Sequence, residues 1–351
     1  MSRIPKKIGR EHEQTTFVKP WNNMLAKFWM IITTVMVLTS PVTADEIKVA
    51  TWNIQQLGQT KAGINESKNE KTKARTEYHK TNDTIGKIAE IINKGKFDVV
   101  ALQEVQDKAR KTLPKLLETL GANWKYIESE RTGRGRQEQY AIFFNPVKLA
   151  AKDTIHLYDD MEDSWDNFSR DPGYASFSYR DFEFIIITCH LDPQQHAAYE
   201  TERLDDVYEA VKCKTGNPKI LVLGDFNLEE GPADIAFQDD GLLDQEKYPK
   251  MKAALDSTYD TTVVGENDET TYDNILFDSG QFELKEKGVY RFDDELGEGY
   301  DKTISDHYPV WAIFEIPDIE DETDALPFAP PAPSIAKIKL SIWASLRRLK
   351  R

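Results

Sequence analysis

The segment Ile220-Leu-Val-Leu-Gly-Asp-Phe-Asn227 carries the clearest structural signal in the chain. Four aliphatic residues in a row are typical of a buried strand. The run then stops at Gly224, Asp225 and Asn227, residue types that pack poorly and suit turns or chemistry. Because ligands gather at strand ends in α/β sheets, the segment predicts a strand with a polar site at its end.

Five other predicted strands have polar residues of the same kind at one end. These residues are Asn53, Gln103 with Glu104, His190, Asp273, and Asp306 with His307. Taken singly, each has an ordinary explanation, because Asp or Asn after a strand is usually a turn or cap residue and a lone His is more often structural. Six such ends in one chain, with carboxylates, amides and imidazoles that complement one another, favour one shared site.

Strands and helices alternate through the first part of the chain's middle, and strands dominate afterwards. Helices are predicted around 85–92, 113–120 and 204–211 from apolar residues at helical spacing. Strands are predicted at 47–54, 97–103, 139–144, 184–188, 220–224, 272–277 and 309–314. This order indicates a single α/β domain whose mixed sheet structure is covered by helices.

Composition and charge exclude several classes of protein. Hydrophobic residues make up 40% of the 351 residues and aromatic residues 11%, which is enough for a packed core. The 45 basic and 60 acidic residues leave a net charge of −15, which argues against a binder that works by bulk positive charge. Two cysteines rule out a disulfide-stapled miniprotein and a four-cysteine zinc module. The motifs GxxxxGK(S/T), GxSxG and HExxH are absent.

The beginning of the chain differs from its middle. Residues 28–44 form an uncharged, largely apolar stretch that is short for a membrane-spanning helix, and Val42-Thr43-Ala44 resembles a small-residue cleavage site. We therefore expect 1–44 to be a leader with a signal peptide cleaved after Ala44. Translation is expected to start at Met24, and the product to be secreted or periplasmic.

The remaining chain divides into three expected parts: a catalytic domain at 45–317, an acidic and proline-rich linker at 318–333, and a basic tail at 334–351. The tail has six basic and no acidic residues, with apolar residues at helical spacing. It is interpreted as a disordered tail or, alternatively, as an amphipathic helix in weak contact with a membrane or nucleic acid. Residues 45–333 hold 33 basic and 58 acidic residues, a net charge of −25.

The polar strand ends suit metal-assisted hydrolysis of a phosphate ester. Mg²⁺, or Mn²⁺ in its place, prefers oxygen ligands and retains most of its waters, and Glu104 with Asn53 and Asp306 would supply such a site. Two histidines allow one imidazole to activate a water while the other protonates the leaving oxygen. Asp225 and Asn227 would orient the water and the phosphate.

The motifs follow one another in a characteristic order: Thr-Trp-Asn53-Ile, Leu-Gln-Glu104-Val, Cys-His190-Leu, Gly-Asp225-Phe-Asn227, Tyr-Asp273 and Ser-Asp306-His307. This series resembles the endonuclease/exonuclease/phosphatase superfamily over about residues 46–316. The resemblance implies a four-layer α/β sandwich, in which two mixed β-sheets face each other and helices cover the outside.

Two segments, 133–144 and 167–172, resemble the deoxyribonuclease I branch of that superfamily. By this resemblance His190 pairs with Glu138 and His307 with Asp273, and the two imidazoles flank the scissile phosphate. We expect His307 to act as the base and His190 as the acid, although the sequence leaves that assignment open.

The same resemblance implies residues that contact DNA. Arg170 would contact a phosphate, and Tyr140 would lie along the DNA-facing surface. Arg134 and Arg136, together with Arg131, crowd one loop. That loop is interpreted either as a solvated basic loop or as a minor-groove and backbone contact.

Some features depart from deoxyribonuclease I. Gln106 stands where that family has an arginine, which puts one phosphate contact in doubt. Cys189 and Cys213 do not match the family's disulfides, and we predict two free thiols because a strand end and the end of the returning helix should lie more than ~15 Å apart. A group of acidic residues resembles a structural Ca²⁺ loop or, alternatively, forms an acidic surface loop: Asp160, Asp166 and Asp171.

The leading hypothesis is a secreted, Mg²⁺-dependent endonuclease that cuts DNA with little sequence specificity, as a monomer without an obligate protein partner. The alternative is a sphingomyelinase-like phosphodiesterase acting on lipid head groups, which shares most of the motifs. A catalytically dead binding module is a third class, which the complete set of polar strand ends disfavours. The sequence leaves open whether RNA is cut, whether nicks or double-strand breaks dominate, and whether Ca²⁺ is required.

Overall fold

The structure is a computed structural model that describes residues 45–134, 137–159, 168–193, 196–228, 241–263 and 270–317. The expected leader, linker and tail lie outside these ranges, so their boundaries stay predictions. No helix in the described ranges is long and apolar enough to cross a membrane.

The described chain alternates strands and helices in its first part, as the sequence predicts. The strands are β1 (Asp45–Gly58), β2 (Val99–Gln106), β3 (Lys125–Glu128), β4 (Gln139–Phe144), β5 (Ala150–Ala151), β6 (His156–Leu157), β7 (Gly173–Tyr179), β8 (Phe182–His190), β9 (Ile220–Asp225), β10 (Met251–Ala253), β11 (Asp273–Asp278), β12 (Glu283–Val289) and β13 (Val310–Ile316). The helices are α1 (Glu70–Thr81), α2 (Thr84–Lys94), α3 (Thr112–Leu120), α4 (Ala197–Glu202), α5 (Leu204–Thr215) and α6 (Phe292–Leu296).

The strands form two mixed sheets. The first has the order β12-β13-β1-β2-β4-β3, and the second the order β10-β11-β9-β8-β7-β5, with β6 also paired to β7. Within these sheets β1 and β2 are parallel, as are β8 and β9, and the other neighbours are antiparallel. Each parallel pair is joined through helices, because parallel neighbours need a long crossover connection.

The main hydrophobic core lies between the two sheets. It includes Val49 and Phe314 from the first sheet with Ile186 and Leu223 from the second. Helices α2 and α3 cover the outer face of the first sheet, and α4 and α5 cover the outer face of the second. Strands buried on both faces read as nearly continuous apolar runs, which explains the signal of the segment at 220–224. Four layers result, and the expected sandwich is confirmed.

Helices α2, α3 and α5 confirm the three helices predicted from apolar spacing. The short helices α4 and α6 have no counterpart among the predictions, and neither does α1. Its sequence, Glu70-Lys-Thr-Lys-Ala-Arg-Thr-Glu-Tyr-His-Lys-Thr81, has no apolar stripe, and Thr76 is its buried residue. Asn69 caps it by accepting the backbone N–H of Thr72 at 3.1 Å. A helix held by its cap and its polar residues gives no periodic signal.

The prediction of two free thiols is confirmed. Cys189, in β8, is buried, Cys213, on α5, is exposed, and both are free. Burial raises the pKa of the Cys189 thiol well above its usual value, so this side chain behaves as an apolar core residue.

Asp107 anchors the start of α3 directly after β2. Its Oδ1 accepts the backbone N–H of Lys111 at 2.8 Å, and its Oδ2 accepts those of Thr112 and Leu113, both at 2.9 Å. Without this carboxylate the three N–H groups at the start of the helix would lose their acceptor, and two of them belong to buried residues, Thr112 and Leu113.

Replacing Asp107 with alanine is therefore expected to lower the free energy of unfolding by about 2 kcal/mol, because three backbone donors lose their acceptor. Urea denaturation monitored by circular dichroism measures the change. Glu118→Ala, an exposed position on the same helix, is the control and should change stability by under about 0.5 kcal/mol. Equal midpoints for the two variants would contradict the capping role.

Candidate active site

The polar strand ends meet at one edge of the two sheets. The register pairs Asn53 with Gln103 across β1 and β2, and His190 with Asp225 across β8 and β9. Asp273, the first residue of β11, pairs with Asp225 on the other side of β9. Because parallel neighbours end at the same edge, the apolar runs carry their terminal polar residues to one place.

Gly224 permits the close pairing of β8 and β9. Its φ is +153°, and a Cβ at this position would lie 2.0 Å from the carbonyl oxygen of Cys189. The backbone N–H of Asn227 then donates to Asp225 Oδ1 at 2.9 Å, with Asn227 at a φ of +50°. The sequence Gly-Asp-Phe-Asn therefore forms a tight turn that holds the Asp225 carboxylate at the end of β9.

His190 and Glu138 form the first imidazole–carboxylate pair. His190 Nδ1 lies 2.8 Å from Glu138 Oε2, and both side chains are buried. Glu138 immediately precedes β4 and exchanges two backbone hydrogen bonds with Thr132. A proton held on Nδ1 by the carboxylate leaves Nε2 as the reactive nitrogen. That Nε2 lies 3.7 Å from Asp225 Oδ2.

Arg170 supports this pair from the backbone side. Its Nε donates to the carbonyl oxygen of His190 at 2.8 Å, and its Nη2 donates to that of Leu191 at 2.7 Å. Its Nε also lies 3.9 Å from Glu138 Oε2. The guanidinium is thus largely engaged in holding the end of β8, and its contact with a DNA phosphate stays a prediction.

His307 and Asp273 form the second pair. His307 Nδ1 lies 2.7 Å from Asp273 Oδ2, and Trp52 Nε1 donates to the backbone carbonyl of His307 at 2.8 Å. Burial alone would lower the pKa of His307, but Asp273 and Asp225 outweigh burial and raise that pKa well above its usual value. The assignment of His307 as the base and His190 as the acid stays a prediction.

Asp225 lies between the two pairs. Its Oδ2 is 3.7 Å from Nε2 of His190 and 3.7 Å from Nε2 of His307. Asn53 Nδ2 donates to the same oxygen at 2.8 Å and to Glu104 Oε1 at 3.1 Å. Two imidazoles therefore face one point, an arrangement in which one can accept a proton while the other donates one.

Glu104 and Asp306 are the partly exposed carboxylates at this edge. Glu104 has a φ of +55°, and its Oε2 accepts the backbone N–H of Gln56 at 3.1 Å. Asp306 Oδ2 accepts Gln55 Nε2 at 2.7 Å, whereas its Oδ1 is buried without a hydrogen-bond partner in the described chain. A divalent cation would satisfy that oxygen, and two carboxylates fit the preference of Mg²⁺ for oxygen ligands.

A second group of possible ligands lies deeper in the site. Asp225, Asp273 and His307 offer ligand atoms within 4.8 Å of one another, and all three residues are buried. His307 already uses its Nδ1 to bind Asp273. A fully buried site suits Mg²⁺ poorly because this ion retains several waters, so Glu104 and Asp306 fit it better.

The bulge in β1 after Asn53 shapes the space around these carboxylates. Gln55 and Gln56 have φ angles of +45° and +58°, where the pairing of β1 with β2 shifts its register. Asn53 Oδ1 accepts the backbone N–H of Gln55 at 3.0 Å, so Asn53 orients Glu104 here and its role as a metal ligand stays a prediction.

Buried Lys61 stabilises the same bulge of β1, and sequence reasoning missed this residue. Its Nζ donates to the carbonyl oxygens of Ile54 at 2.8 Å and Gln55 at 2.6 Å. Nothing in the local sequence distinguishes this lysine from a surface lysine, because its partners are backbone groups brought close by the bulge.

Glu200 is a second residue that sequence reasoning missed. This buried side chain of α4 accepts the backbone N–H of Ser169 at 2.6 Å through Oε1 and that of Asp192 at 2.7 Å through Oε2. It thereby links the segment that carries Arg170 to the residues after β8. The signal available in the sequence is a carboxylate at a position that faces the core.

The predictions for the residues expected to contact DNA and for the expected Ca²⁺ loop differ in how they compare with the structure. Tyr140 does not lie on a DNA-facing surface, because it is 2% exposed and packs into the core between the sheets. Arg134 is exposed in the loop before β4, and Arg136 lies outside the described residues. Of the expected Ca²⁺ loop, Asp171 accepts a hydrogen bond from Thr132 Oγ1 at 2.9 Å. Its two other members lie outside the described residues: Asp160 and Asp166.

Comparison with known proteins gives a consistent result. Residues 50–307 match the model of the Endonuclease/Exonuclease/phosphatase family. The chain is 28% identical to deoxyribonuclease-1 of Rattus norvegicus over 287 residues, which cover 76% of this chain and 91% of that protein. It is 29% identical to deoxyribonuclease-1 of Bos taurus over 289 residues, covering 75% and 90%.

Solved structures share the fold. An endonuclease/exonuclease/phosphatase family protein from Bacteroides thetaiotaomicron superposes with a TM-score of 0.56 at 18% identity, covering 78% of this chain and 99% of that one. The human Nocturnin catalytic domain superposes with a TM-score of 0.54 at 16% identity, covering 77% and 94%. At these identities the likeness concerns the fold alone.

Proposed function

The chain belongs to the endonuclease/exonuclease/phosphatase family, in its deoxyribonuclease I-like branch, and from that premise we propose a divalent-metal-dependent endonuclease that hydrolyses DNA phosphodiester bonds. The observation that carries the proposal is the approach of His190 Nε2 and His307 Nε2 to one oxygen of Asp225, each at 3.7 Å. The similarity to deoxyribonuclease-1 favours DNA as the substrate over other phosphate esters.

In the proposed reaction the two imidazoles divide the proton transfers. One Nε2 accepts the proton of the attacking water, and the other delivers a proton to the leaving oxygen. Glu138 and Asp273 hold the two rings in orientation and stabilise whichever imidazolium forms. Glu104 and Asp306 would hold a Mg²⁺ or Mn²⁺ ion, and such an ion would neutralise charge on the phosphate.

Substrate binding is proposed to rest on local cations, because the domain as a whole is acidic. Asn227 would orient the phosphate, and Arg170, Arg134 and Arg136 would contact the DNA backbone. A net charge of −25 over residues 45–333 makes the affinity modest and sensitive to salt. With little readout of base edges, cleavage would follow DNA shape instead of sequence.

The proposed setting is outside the cytoplasm, since the apolar stretch and small-residue site before Asp45 favour cleavage after Ala44. We propose that the enzyme acts as a monomer without an obligate protein partner. The basic tail would add at most weak contact with a membrane or nucleic acid.

Purified protein is expected to convert supercoiled plasmid to relaxed circles in Mg²⁺. EDTA is expected to abolish this conversion, because it chelates the divalent cation that would neutralise the charge of the phosphate. Agarose gel electrophoresis over time measures the reaction, and an excess of Mg²⁺ added after EDTA should restore it.

A folded, Mg²⁺-supplied protein that leaves the plasmid supercoiled would contradict the nuclease proposal. Sphingomyelin would then be the next substrate, because the sphingomyelinase-like alternative uses the same imidazoles and metal. Inactivity on both substrates would favour the binding module.

A further inference from the structure

A cleft of about 740 Å³ opens beside the candidate active site. Two of its lining residues bind the candidate metal ligands directly. Gln55 Nε2 donates to Asp306 Oδ2 at 2.7 Å, and the backbone N–H of Gln56 donates to Glu104 Oε2 at 3.1 Å. The cleft therefore shares a wall with the place where the phosphodiester is proposed to be cut.

The cleft is basic in a chain that is otherwise acidic. Lys61, Arg75 and Lys108 line it, and no aspartate or glutamate of the described residues does so. Burial lowers the pKa of Lys61 to about 7. The positive charge of the cleft at neutral pH therefore comes mainly from Arg75 and Lys108. Arg75 and Lys108 are exposed and form no ion pair within the described ranges, so the protein does not neutralise them.

Helix α1 turns one face to this cleft. Arg75, Tyr78 and His79 are spaced i, i+3 and i+4, and all three line it. The Tyr78 side chain is 47% exposed, and its ring stands edge-on to that of His79, with the ring centres 5.4 Å apart. Because α1 has almost no apolar side to bury, these residues contribute little to the core and are open to a ligand.

The cleft also contains an uncharged side chain whose amide nitrogen makes no hydrogen bond. Gln106 lines the cleft, and its Nε2 has no hydrogen-bond partner within the described residues. An uncharged amide cannot give a phosphate the charge-assisted bond that an arginine gives. Arg75 on α1 and Lys108 in the turn after β2 bring positive charge into the same cleft.

We propose that this cleft binds the substrate strand beside the scissile phosphate, with Arg75 and Lys108 on backbone phosphates and the Tyr78 ring against a base or sugar. A nucleic-acid strand suits the cleft because it combines repeated negative charge with flat rings. The inference rests on the proposed nuclease function and extends it, because it places the bound DNA strand along helix α1.

The test uses end-labelled DNA duplexes in which one linkage at a time is an uncharged methylphosphonate, cleaved by full-length protein in Mg²⁺ and resolved on a sequencing gel. For the wild type, an uncharged linkage at one offset from the cut should slow cleavage about tenfold, because a charge-assisted bond is lost. In Arg75→Ala/Lys108→Ala, the same substitution should slow cleavage no more than about twofold, because its partners are already gone. The variant's salt slope should also be shallower, by about one per contact removed.

Lys73→Ala/Lys125→Ala is the matched control, because it removes two exposed lysines, one of them on α1, that do not line the cleft. It should keep the wild-type pattern of sensitivity to uncharged linkages. If Arg75→Ala/Lys108→Ala keeps that pattern as well, the cleft inference is overturned while the nuclease function stands. If the wild type cuts no unmodified duplex, the nuclease function fails, and the cleft inference falls with it.

Discussion

Replacing His190 or His307 with alanine is expected to lower kcat for plasmid nicking by at least about 10²-fold while the protein stays folded. Each ring is buried, is oriented by a carboxylate through Nδ1, and has its Nε2 at the centre of the site. Loss of either ring removes one of the two proton transfers. The double variant should be little slower than the worse single variant, because the two rings act as a unit.

Alanine also leaves the carboxylate partner of each histidine buried without its donor, so the asparagine variants at both positions are made alongside. An asparagine N–H can still donate to Glu138 or Asp273 but cannot carry a proton to substrate. His156→Ala, which removes an exposed histidine, is the matched control and should keep the wild-type kcat. Near-wild-type turnover in the variants of both His190 and His307 would remove the imidazoles from the mechanism.

Glu104→Gln is expected to weaken Mg²⁺ binding and to lower kcat by at least about 10²-fold, because it removes one of the two carboxylate charges proposed to hold the ion. The side chain keeps its size, although one of the acceptors used by Asn53 Nδ2 and Gln56 N–H is lost. Mg²⁺ titration of the nicking rate gives the first measure. Direct binding of Mn²⁺, followed by electron paramagnetic resonance, gives a second that does not depend on activity.

Glu118→Gln makes the same chemical change at an exposed position of α3 and should leave Mg²⁺ dependence unchanged. A Glu104→Gln variant that binds Mn²⁺ as the wild type does would overturn the assignment of this carboxylate. The buried group of Asp225, Asp273 and His307 would then be the candidate metal site.

The positions of seven of the thirteen described strands and of three of the six described helices could be predicted because their signals are local. The run at 220–224 is apolar because β9 is covered on both faces, and the spacing in 85–92 reflects the single face that α2 buries. The same signals fail for α1, whose residues are nearly all polar. They also fail for Tyr140, because a strand buried on both faces does not reveal whether a side chain reaches the protein surface.

Arg170 shows a second reason why sequence patterns do not predict every contact. Its residue type and neighbourhood suggest a phosphate contact, yet two of its nitrogens donate to the carbonyl oxygens of His190 and Leu191. Those carbonyls lie about twenty residues away in sequence, and no spacing rule connects them to an arginine in a loop. The buried lysine at position 61 was missed for the same reason, since its partners are backbone groups of the bulge after Asn53.

The amino-acid sequence alone determined the fold class, the positions of seven of the thirteen described strands, and the set of carboxylates, amides and imidazoles that meets at one edge. These follow from residue hydrophobicity and from the periods of helices and strands, which each segment carries within itself. Tertiary structure alone decided that Asp225 faces both imidazoles, that Gln55 binds Asp306, and that α1 adds a basic cleft beside the site. Those relations join groups that are as many as 251 residues apart in sequence, and side-chain geometry at such meeting points depends on how the two sheets pack.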